Sequence, residues 1–327
     1  MYAEFFKLTG LPFQLTPDSR FFFESSVHSK AMAHLTYGLN QGEGFIVITG
    51  DVGAGKTTLV EHLCSNLDPE RYTIAKISTT QTSADDTLRM VAAGFGIKTE
   101  GVEKANLLQR LEATLVNNYR AGRRSLLVVD EAQNLTVPAL EELRMLSNFI
   151  VGNTPPLQSF LLGQPQFRPI MALAELEQLR QRVLASYHLG PLSEEETKAY
   201  IEHRLTRVGW QDDPQFTDDA FRQLYEVTGG VPRKINTLCS RLMLFGFLEE
   251  SHLINAEVVA QVADELKSEL SGGADAQRPA PTQMAPLPAG SDVAYRLTRI
   301  EERIDKHDHA IKRALAIAAS YIQGSAA

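Results

Sequence analysis

The chain has 327 residues, of which 22% are charged and 43% are hydrophobic, and its formal net charge is -8. These values are typical of a globular protein with two or three domains, and no apolar run approaches the roughly 20 residues that cross a bilayer. The N-terminus lacks a signal-peptide pattern and Cys64 and Cys239 are too few for a disulfide framework, so we expect a cytoplasmic protein. The acidic balance argues weakly against a surface devoted to nucleic acid.

Residues 1–40 form an N-terminal arm that we expect to pack on the core of the domain that follows it. After this arm, short apolar segments alternate with helical patterns. Strands are predicted at 44–50, 71–78, 125–130, 157–163 and 185–190. Helices are predicted between them at 56–67, 84–95, 104–120, 137–150 and 166–176. This alternation predicts a doubly wound α/β domain over residues 41–191, with a parallel sheet and helices on both faces.

From residue 192 the pattern becomes helical only. Ser193 and Glu196 form a capping box, and Thr217 and Asn255 can cap later helices. We therefore predict an all-α domain of four helices over residues 192–269.

The C-terminal part of the sequence differs in composition from the rest. Residues 270–291 are rich in proline, alanine and glycine, which predicts a disordered or polyproline-like linker. Apolar positions in 292–323 recur with heptad spacing over about three to four heptads. This pattern predicts an amphipathic helix, either as a short coiled coil or as a lone helix.

The segment "GDVGAGKT" follows a predicted strand and precedes a predicted helix, which is the context that a phosphate-binding loop requires. Its main-chain N–H groups and the helix N-terminus would face phosphate oxygens, Lys56 would reach the β and γ phosphates, and Thr57 would ligate Mg²⁺. The predicted nucleotide-binding residues of this segment are Gly50, Asp51, Val52, Gly53, Ala54, Gly55, Lys56, Thr57 and Thr58.

Polar side chains follow two further predicted strands. "LLVVDEAQ" places Asp130 and Glu131 at the carboxyl end of its strand, where Asp130 would hold Mg²⁺ and Glu131 would polarise the attacking water. A helix cap for Asp130 and a solvated first-turn position for Glu131 are the alternatives. Gln164 closes the strand "SFLLGQP" and would approach the water or the γ phosphate if that strand neighbours the loop strand. Taken alone, Gln164 fits a turn or capping role better.

These motifs together resemble a known family. "GDVGAGKT", "LLVVDEAQNL", "LLGQPQF", "LRQRVLASYHLGPLSEEE" and "TGGVPRKIN", in this order, resemble the AAA+ ATPases related to the secretion ATPase ExeA/GspA and the transposition protein TniB. The resemblance covers about residues 1–268 and is strongest to the ATPase associated with the exosortase (PEP-CTERM) protein-sorting system, encoded among exopolysaccharide genes. It implies a P-loop NTPase sheet in the order 5-1-4-3-2, a helical lid, and ATP with Mg²⁺ as the bound species.

The resemblance also implies roles for single residues. Gln164 takes the place of the first sensor, and Arg233 that of the second, at the start of a lid helix that folds over the γ phosphate. Arg182 is the better match to the arginine finger that reaches a neighbouring subunit's nucleotide, and Arg180 is the second candidate. The alternative for Arg182 is a surface residue on an amphipathic helix. The aromatic arm would line the adenine pocket, with His28 and Lys30 near it.

We therefore expect Mg²⁺-dependent ATP hydrolysis by a homo-oligomer, with Lys56, Glu131, Gln164 and Arg182 as catalytic residues. By resemblance, its protein client belongs to a secretion, protein-sorting or exopolysaccharide system. The alternative is a nucleotide-switched DNA-binding regulator of the TniB type, which is not favoured because no helix-turn-helix or basic stripe is visible. ExeA-like relatives continue into a membrane span and a peptidoglycan-binding domain, whereas a linker and short helix follow the lid here, so cell-wall binding is not expected.

Overall fold

The computed structural model describes residues 2–16, 18–79 and 83–271. Five parallel strands form the central sheet: β1 (Phe45–Gly50), β2 (Tyr72–Ser78), β3 (Arg124–Asp130), β4 (Leu157–Gly163) and β5 (Val183–Leu189). Their order is β2-β3-β4-β1-β5, which confirms the order that the family resemblance implies. The strand β1, which leads into the phosphate-binding loop, lies between β4 and β5.

Helices cover both faces of this sheet, and this explains why β1 and β4 are buried throughout and mostly apolar. Successive side chains of a strand point to opposite faces, so Ile46 and Val128 belong to one hydrophobic cluster and Val47 and Val129 to another. The helices of the first 190 residues are α1 (Tyr2–Phe5), α2 (Ser26–Gln41), α3 (Lys56–Ser65), α4 (Ala84–Gly94), α5 (Lys104–Arg120), α6 (Val137–Leu146), α7 (Phe167–Met171) and α8 (Glu177–Arg180).

Two predicted helices end earlier than expected. The helix predicted at 137–150 stops at Leu146, and the one at 166–176 is divided into α7 and a separate 3-10 turn, Ala174–Leu176. Arginine side chains from the chain before β5 donate to main-chain carbonyls at both helix ends, which satisfies acceptors that the ends of helices leave unpaired.

The lid follows the sheet and contains four helices: α9 (Glu194–Thr206), α10 (Asp218–Thr228), α11 (Pro232–Leu248) and α12 (Ala256–Ser271). The capping box of Ser193 and Glu196 is confirmed, and Asn255 accepts the main-chain N–H of Val258 at 3.0 Å. Thr217 occupies the cap position of α10, but its hydroxyl donates to the Ile254 carbonyl.

The sequence predicted a lid made only of helices, and this prediction was wrong in one detail. Two short strands, β6 (Gln215–Phe216) and β7 (Leu253–Ile254), pair in parallel inside it. A two-residue strand is too short to produce a periodic pattern, so the sequence gives no warning of it. The linker predicted at 270–291 starts two residues too early, because α12 continues to Ser271. Residues 272–291 and the helix predicted at 292–323 lie outside the described residues.

The N-terminal arm packs differently from the expectation. Its apolar side chains, including Phe6, Phe13 and Phe21, are buried in the hydrophobic core of the lid. Arg204 of α9 fixes them: it is 7% exposed, donates to the Pro12 carbonyl at 2.6 Å, and lies 4.7 Å from the centre of the Phe21 ring. Of residues 1–40, therefore, α2 lies against the sheet, whereas most apolar side chains of the arm before it pack in the lid, and Phe22 packs on the ATPase domain.

Both cysteines are buried free thiols. Within the ranges that the structure describes, no helix is both long enough and apolar enough to cross a bilayer.

Candidate nucleotide site

The phosphate-binding loop connects β1 to α3, as predicted. Lys56 is the first residue of α3 and is buried, and its Nζ donates to the carbonyls of Gly50 at 2.7 Å and Asp51 at 2.9 Å. Burial lowers the pKa of Lys56, while the negative charges of Glu131, Asp130 and Asp51 oppose this effect. The ammonium is thus held inside the loop by main-chain carbonyls, and the charges of three carboxylates act on it.

Two glycines of the loop occupy positions where a side chain would be strained and would meet neighbouring atoms. Gly53 and Gly55 have φ values of 83° and 96°, in the left-handed region that side chains disfavour. A Cβ on Gly53 would lie 2.2 Å from the Cβ of Arg233, and one on Gly55 would lie 2.8 Å from Nε2 of His28. The lid and α2 therefore touch the loop at these two glycines.

Asp130 ends β3 beside the start of α3. Its Oδ2 accepts the Thr57 hydroxyl at 2.7 Å, and its Oδ1 accepts the main-chain N–H of Glu131 at 2.8 Å. Mg²⁺ prefers hard oxygen ligands and often takes only one or two from the protein, the rest being phosphate and water oxygens. The Thr57 hydroxyl and the Asp130 carboxylate therefore fit a magnesium ion bound together with a nucleotide.

Glu131 is held in place by two amides. It has a φ of 55°, and its Oε2 accepts Nε2 of Gln133 at 2.5 Å and Nε2 of Gln164 at 3.0 Å. Gln133 also accepts the main-chain N–H of Gln164 at 2.9 Å. Burial alone would raise the pKa of Glu131, but the hydrogen bonds from Gln133 and Gln164 and the charge of Lys56 outweigh it and lower this pKa.

The pairing of β4 with β1 and β3 brings Gln164 to Glu131, as the sequence had suggested on the condition that these strands are neighbours. Gln133 was missed. The signal for it was weak, because a glutamine shortly after a strand is usually a solvated turn residue.

Arg233 is placed over the loop by the helix junction before it. Gly229 ends α10, the Gly230 carbonyl accepts the N–H of Leu192 at 2.9 Å, and α11 begins at Pro232. The main-chain N–H of Arg233 donates to the Gly53 carbonyl at 3.2 Å, and its side chain is exposed. The predicted proximity of this arginine to the phosphate-binding loop is thus observed.

Comparison with known proteins agrees with this geometry. A family model described as an AAA domain matches residues 39–171. General secretion pathway protein A of Aeromonas hydrophila is 38% identical over 255 residues, which make up 78% of this chain and 46% of that protein. The chain therefore spans about half the length of the curated relative that it matches.

Solved structures share the fold at low sequence identity. Cdc6p from Pyrobaculum aerophilum has a TM-score of 0.60 at 15% identity, covering 76% of this chain and 71% of that one. The ORC2 protein of Aeropyrum pernix has a TM-score of 0.56 at 16% identity, covering 73% and 66%. The chain contains an AAA+ ATPase domain. The relative from Aeromonas hydrophila supports the ExeA/GspA group, whereas the closer likeness to the exosortase-associated ATPase stays a prediction.

Arg182 and Arg180 lie far from the nucleotide site of their own ATPase domain. The Arg182 carbonyl accepts the N–H of Phe45, at the end of β1 opposite to the loop. Its guanidinium donates to the Ser147 carbonyl at 3.0 Å and hydroxyl at 2.7 Å, and also to Asn148. Arg180 donates to carbonyls of residues 171 and 173. Neither arginine can act on the nucleotide of its own chain from this position, which is compatible with a role in trans.

Aromatic side chains of the arm lie between the ATPase domain and the lid. The Phe22 ring stacks on His62 of α3 at 4.1 Å and meets His28 edge-on at 5.9 Å. Phe23 contacts the His203 ring of α9 at 5.6 Å. This is a suitable location for the adenine pocket that the family resemblance implies. Lys30 is exposed on α2.

Proposed function

We propose that this protein hydrolyses ATP with Mg²⁺ and that the nucleotide cycle moves the lid and drives assembly in an envelope secretion or protein-sorting system. The observation that carries the proposal is the fixed carboxylate of Glu131 beside Lys56 and Asp130. One oxygen of this carboxylate, Oε2, is anchored by two amides, and within the described part of the chain no hydrogen bond reaches Oε1. Oε1 is therefore available to accept a proton from an attacking water.

The other residues of the site would bind the phosphates, hold the magnesium ion and orient Glu131. Lys56 would exchange its two loop carbonyls for β and γ phosphate oxygens, and the loop N–H groups would cradle the same phosphates. Thr57 and Asp130 would hold Mg²⁺, which neutralises charge on the phosphates when bound. Gln164 would keep Glu131 oriented and contact the γ phosphate, as a first sensor does. Arg182 would complete the site of a neighbouring copy.

Arg233 couples the position of the lid to whether ATP or ADP is bound. Its main chain already touches Gly53, so we expect its guanidinium to reach a γ phosphate bound at the loop. ADP lacks this phosphate, so the lid is held less firmly in the ADP state. This difference is the source of the proposed lid cycle.

Glu131→Gln tests hydrolysis directly. The amide keeps the shape but cannot accept the water's proton, so the variant should bind ATP and lose at least tenfold in turnover, about 1.4 kcal/mol of barrier. Glu43→Gln, at an exposed position before β1, is the control for the same loss of charge. A Glu131→Gln enzyme with near-normal turnover would remove Glu131 from the mechanism. Stimulation of turnover by duplex DNA would favour the DNA-binding alternative.

The biological process rests on the likeness to General secretion pathway protein A. We propose a protein client in an envelope system of secretion, exosortase-linked protein sorting or exopolysaccharide export, served from the cytoplasm. In the source organism, Glu131→Gln should stop delivery of that system's products to the envelope while the protein is present at its normal level. Unchanged delivery would contradict this assignment and leave the ATPase proposal intact.

A further inference from the structure

Hydrogen bonds and a packing contact connect the lid to the phosphate-binding loop through the N-terminus of α2. Its first member is Glu196, the third residue of α9. Oε1 of Glu196 accepts the main-chain N–H of Ser26 at 2.7 Å, and Oε2 accepts the N–H of Ser193 at 3.2 Å. Ser26 begins α2 and Ser193 caps α9, so one carboxylate serves the start of both helices.

The second member is His28, one turn into α2. It is only 6% exposed, and the buried hydroxyl of Ser25, the cap residue of α2, lies 2.6 Å from its Nδ1. The same hydroxyl accepts the His28 main-chain N–H at 3.3 Å, so its own proton is free for Nδ1. The ring proton is then on Nε2, the nitrogen that faces the loop.

This nitrogen faces the part of the loop that contains Ala54 and Gly55. The Ala54 N–H already donates to the Asp51 carbonyl at 3.1 Å, so a hydrogen bond from Nε2 to Ala54 would go to the Ala54 carbonyl. Nε2 also lies where a Cβ of Gly55 would come within 2.8 Å. His28 therefore supports the loop from the side opposite to the phosphates.

The charges of the two side chains suit this arrangement. Burial lowers the pKa of His28, against the opposing effects of Ala54 and Glu196, and this favours the neutral ring. Burial alone would raise the pKa of Glu196, but its hydrogen bonds with Ser26 and Ser193 outweigh it and lower this pKa. Glu196 thus remains an ionised acceptor.

We propose that His28 is a positioning residue for the phosphate-binding loop and that Glu196 makes its placement depend on the position of the lid. When the lid lies over the loop, Glu196 holds the first turn of α2, and His28 holds the Ala54 carbonyl. When the lid moves away, the N–H of Ser26 loses its acceptor, and the first turn that carries His28 is released. This inference rests on the proposed function only in requiring that the loop binds nucleotide.

Nucleotide affinity tests the connection without any need for hydrolysis. We would titrate the full chain with a fluorescent, non-hydrolysable ATP analogue and follow binding by anisotropy. His28→Ala and Glu196→Ala are each expected to weaken binding by about tenfold. Because both act through one path, the double variant should also lose about tenfold and not the hundredfold of two independent effects.

Matched variants separate positioning from general damage. Glu196→Gln keeps an acceptor oxygen for Ser26, and His28→Gln keeps a donor near the position of Nε2, so both should stay within about threefold of the wild-type affinity. Glu195→Ala removes a carboxylate from the same turn of α9. That carboxylate accepts a hydrogen bond from the Ser193 hydroxyl and not from α2, so the variant should bind the nucleotide analogue with wild-type affinity. If an alanine variant fails to fold, the two glutamine variants still test the donor and the acceptor.

Several outcomes would overturn the inference. These are a hundredfold loss in the double variant, wild-type affinity in either alanine variant, or glutamine variants as weak as the alanine ones. A wild-type chain that binds no nucleotide would instead refute the proposed function itself.

Discussion

Replacing Gly53 with alanine should separate the lid from the phosphate-binding loop. A Cβ at this position would lie 2.2 Å from the Cβ of Arg233, whose main-chain N–H donates to the Gly53 carbonyl at 3.2 Å. Ordinary contact begins at 3.4 Å, so the two segments must move apart by about 1.2 Å, which breaks the hydrogen bond. The effect of the substitution thus has two parts, one in the loop and one between loop and lid.

The two parts can be given magnitudes. An alanine at a φ of 83° costs about 1 to 2 kcal/mol relative to glycine, and the lost hydrogen bond costs about 1 kcal/mol net. Gly122 offers a matched control, because its φ is 77° and a Cβ there would meet no atom within 4 Å. Gly122→Ala should therefore lower the free energy of unfolding by about 1 to 2 kcal/mol, and Gly53→Ala by about 2 to 3 kcal/mol.

Denaturant unfolding of the nucleotide-free protein measures these losses, and hydrogen exchange locates them. The Arg233 amide should exchange about fivefold faster in Gly53→Ala, which corresponds to about 1 kcal/mol, and at the wild-type rate in Gly122→Ala. Equal losses of stability in the two variants, together with unchanged protection at Arg233, would show that Gly53 does not hold the lid.

Further predictions concern charged side chains. Lys56→Ala should abolish nucleotide binding in an equilibrium titration, because the loop loses its main positive charge. Arg182→Ala should bind ATP normally yet turn it over about a thousandfold more slowly, with partial recovery on mixing with Lys56→Ala protein; full activity in a demonstrably monomeric wild type would refute a role in trans. Arg233→Ala should reduce the preference for ATP over ADP, whereas Lys234→Ala should leave it unchanged. Arg204→Met should lower the free energy of unfolding by about 1 to 3 kcal/mol, since it leaves a buried carbonyl of the arm unpaired.

The parts of the fold and site that sequence could predict are those encoded locally. The phosphate-binding loop is a contiguous motif between a strand and a helix. The buried strands are short, mostly apolar segments, because helices cover both faces of the sheet. The sheet order came from the family resemblance, because the periodicity of a strand carries no information about its neighbours. The position of Gln164 was predicted on the condition that its strand neighbours the loop strand, and the pairing of β4 with β1 meets this condition.

The parts that sequence could not predict depend on contacts between distant segments. Glu196 and Ser26 are 170 positions apart, and nothing near either residue shows that they meet. The capping box already accounts for a glutamate at position 196, so the sequence gives no reason to expect that Glu196 also accepts a hydrogen bond from Ser26. Gln133 was missed for a similar reason, because its contacts arise only where the ends of β3 and β4 adjoin.

The position of the arm has a consequence for the order in which the chain can fold. The Pro12 carbonyl pairs with Arg204, which is 192 positions later in the chain. At a synthesis rate of about 5 to 20 residues per second, Arg204 is made roughly 10 to 40 s after Pro12. The central ATPase domain can form in that interval, whereas Phe6, Phe13 and Phe21 have no core to enter. A chain that stops before α9 would keep these rings exposed, so a soluble ATPase fragment needs a second cut that removes the arm.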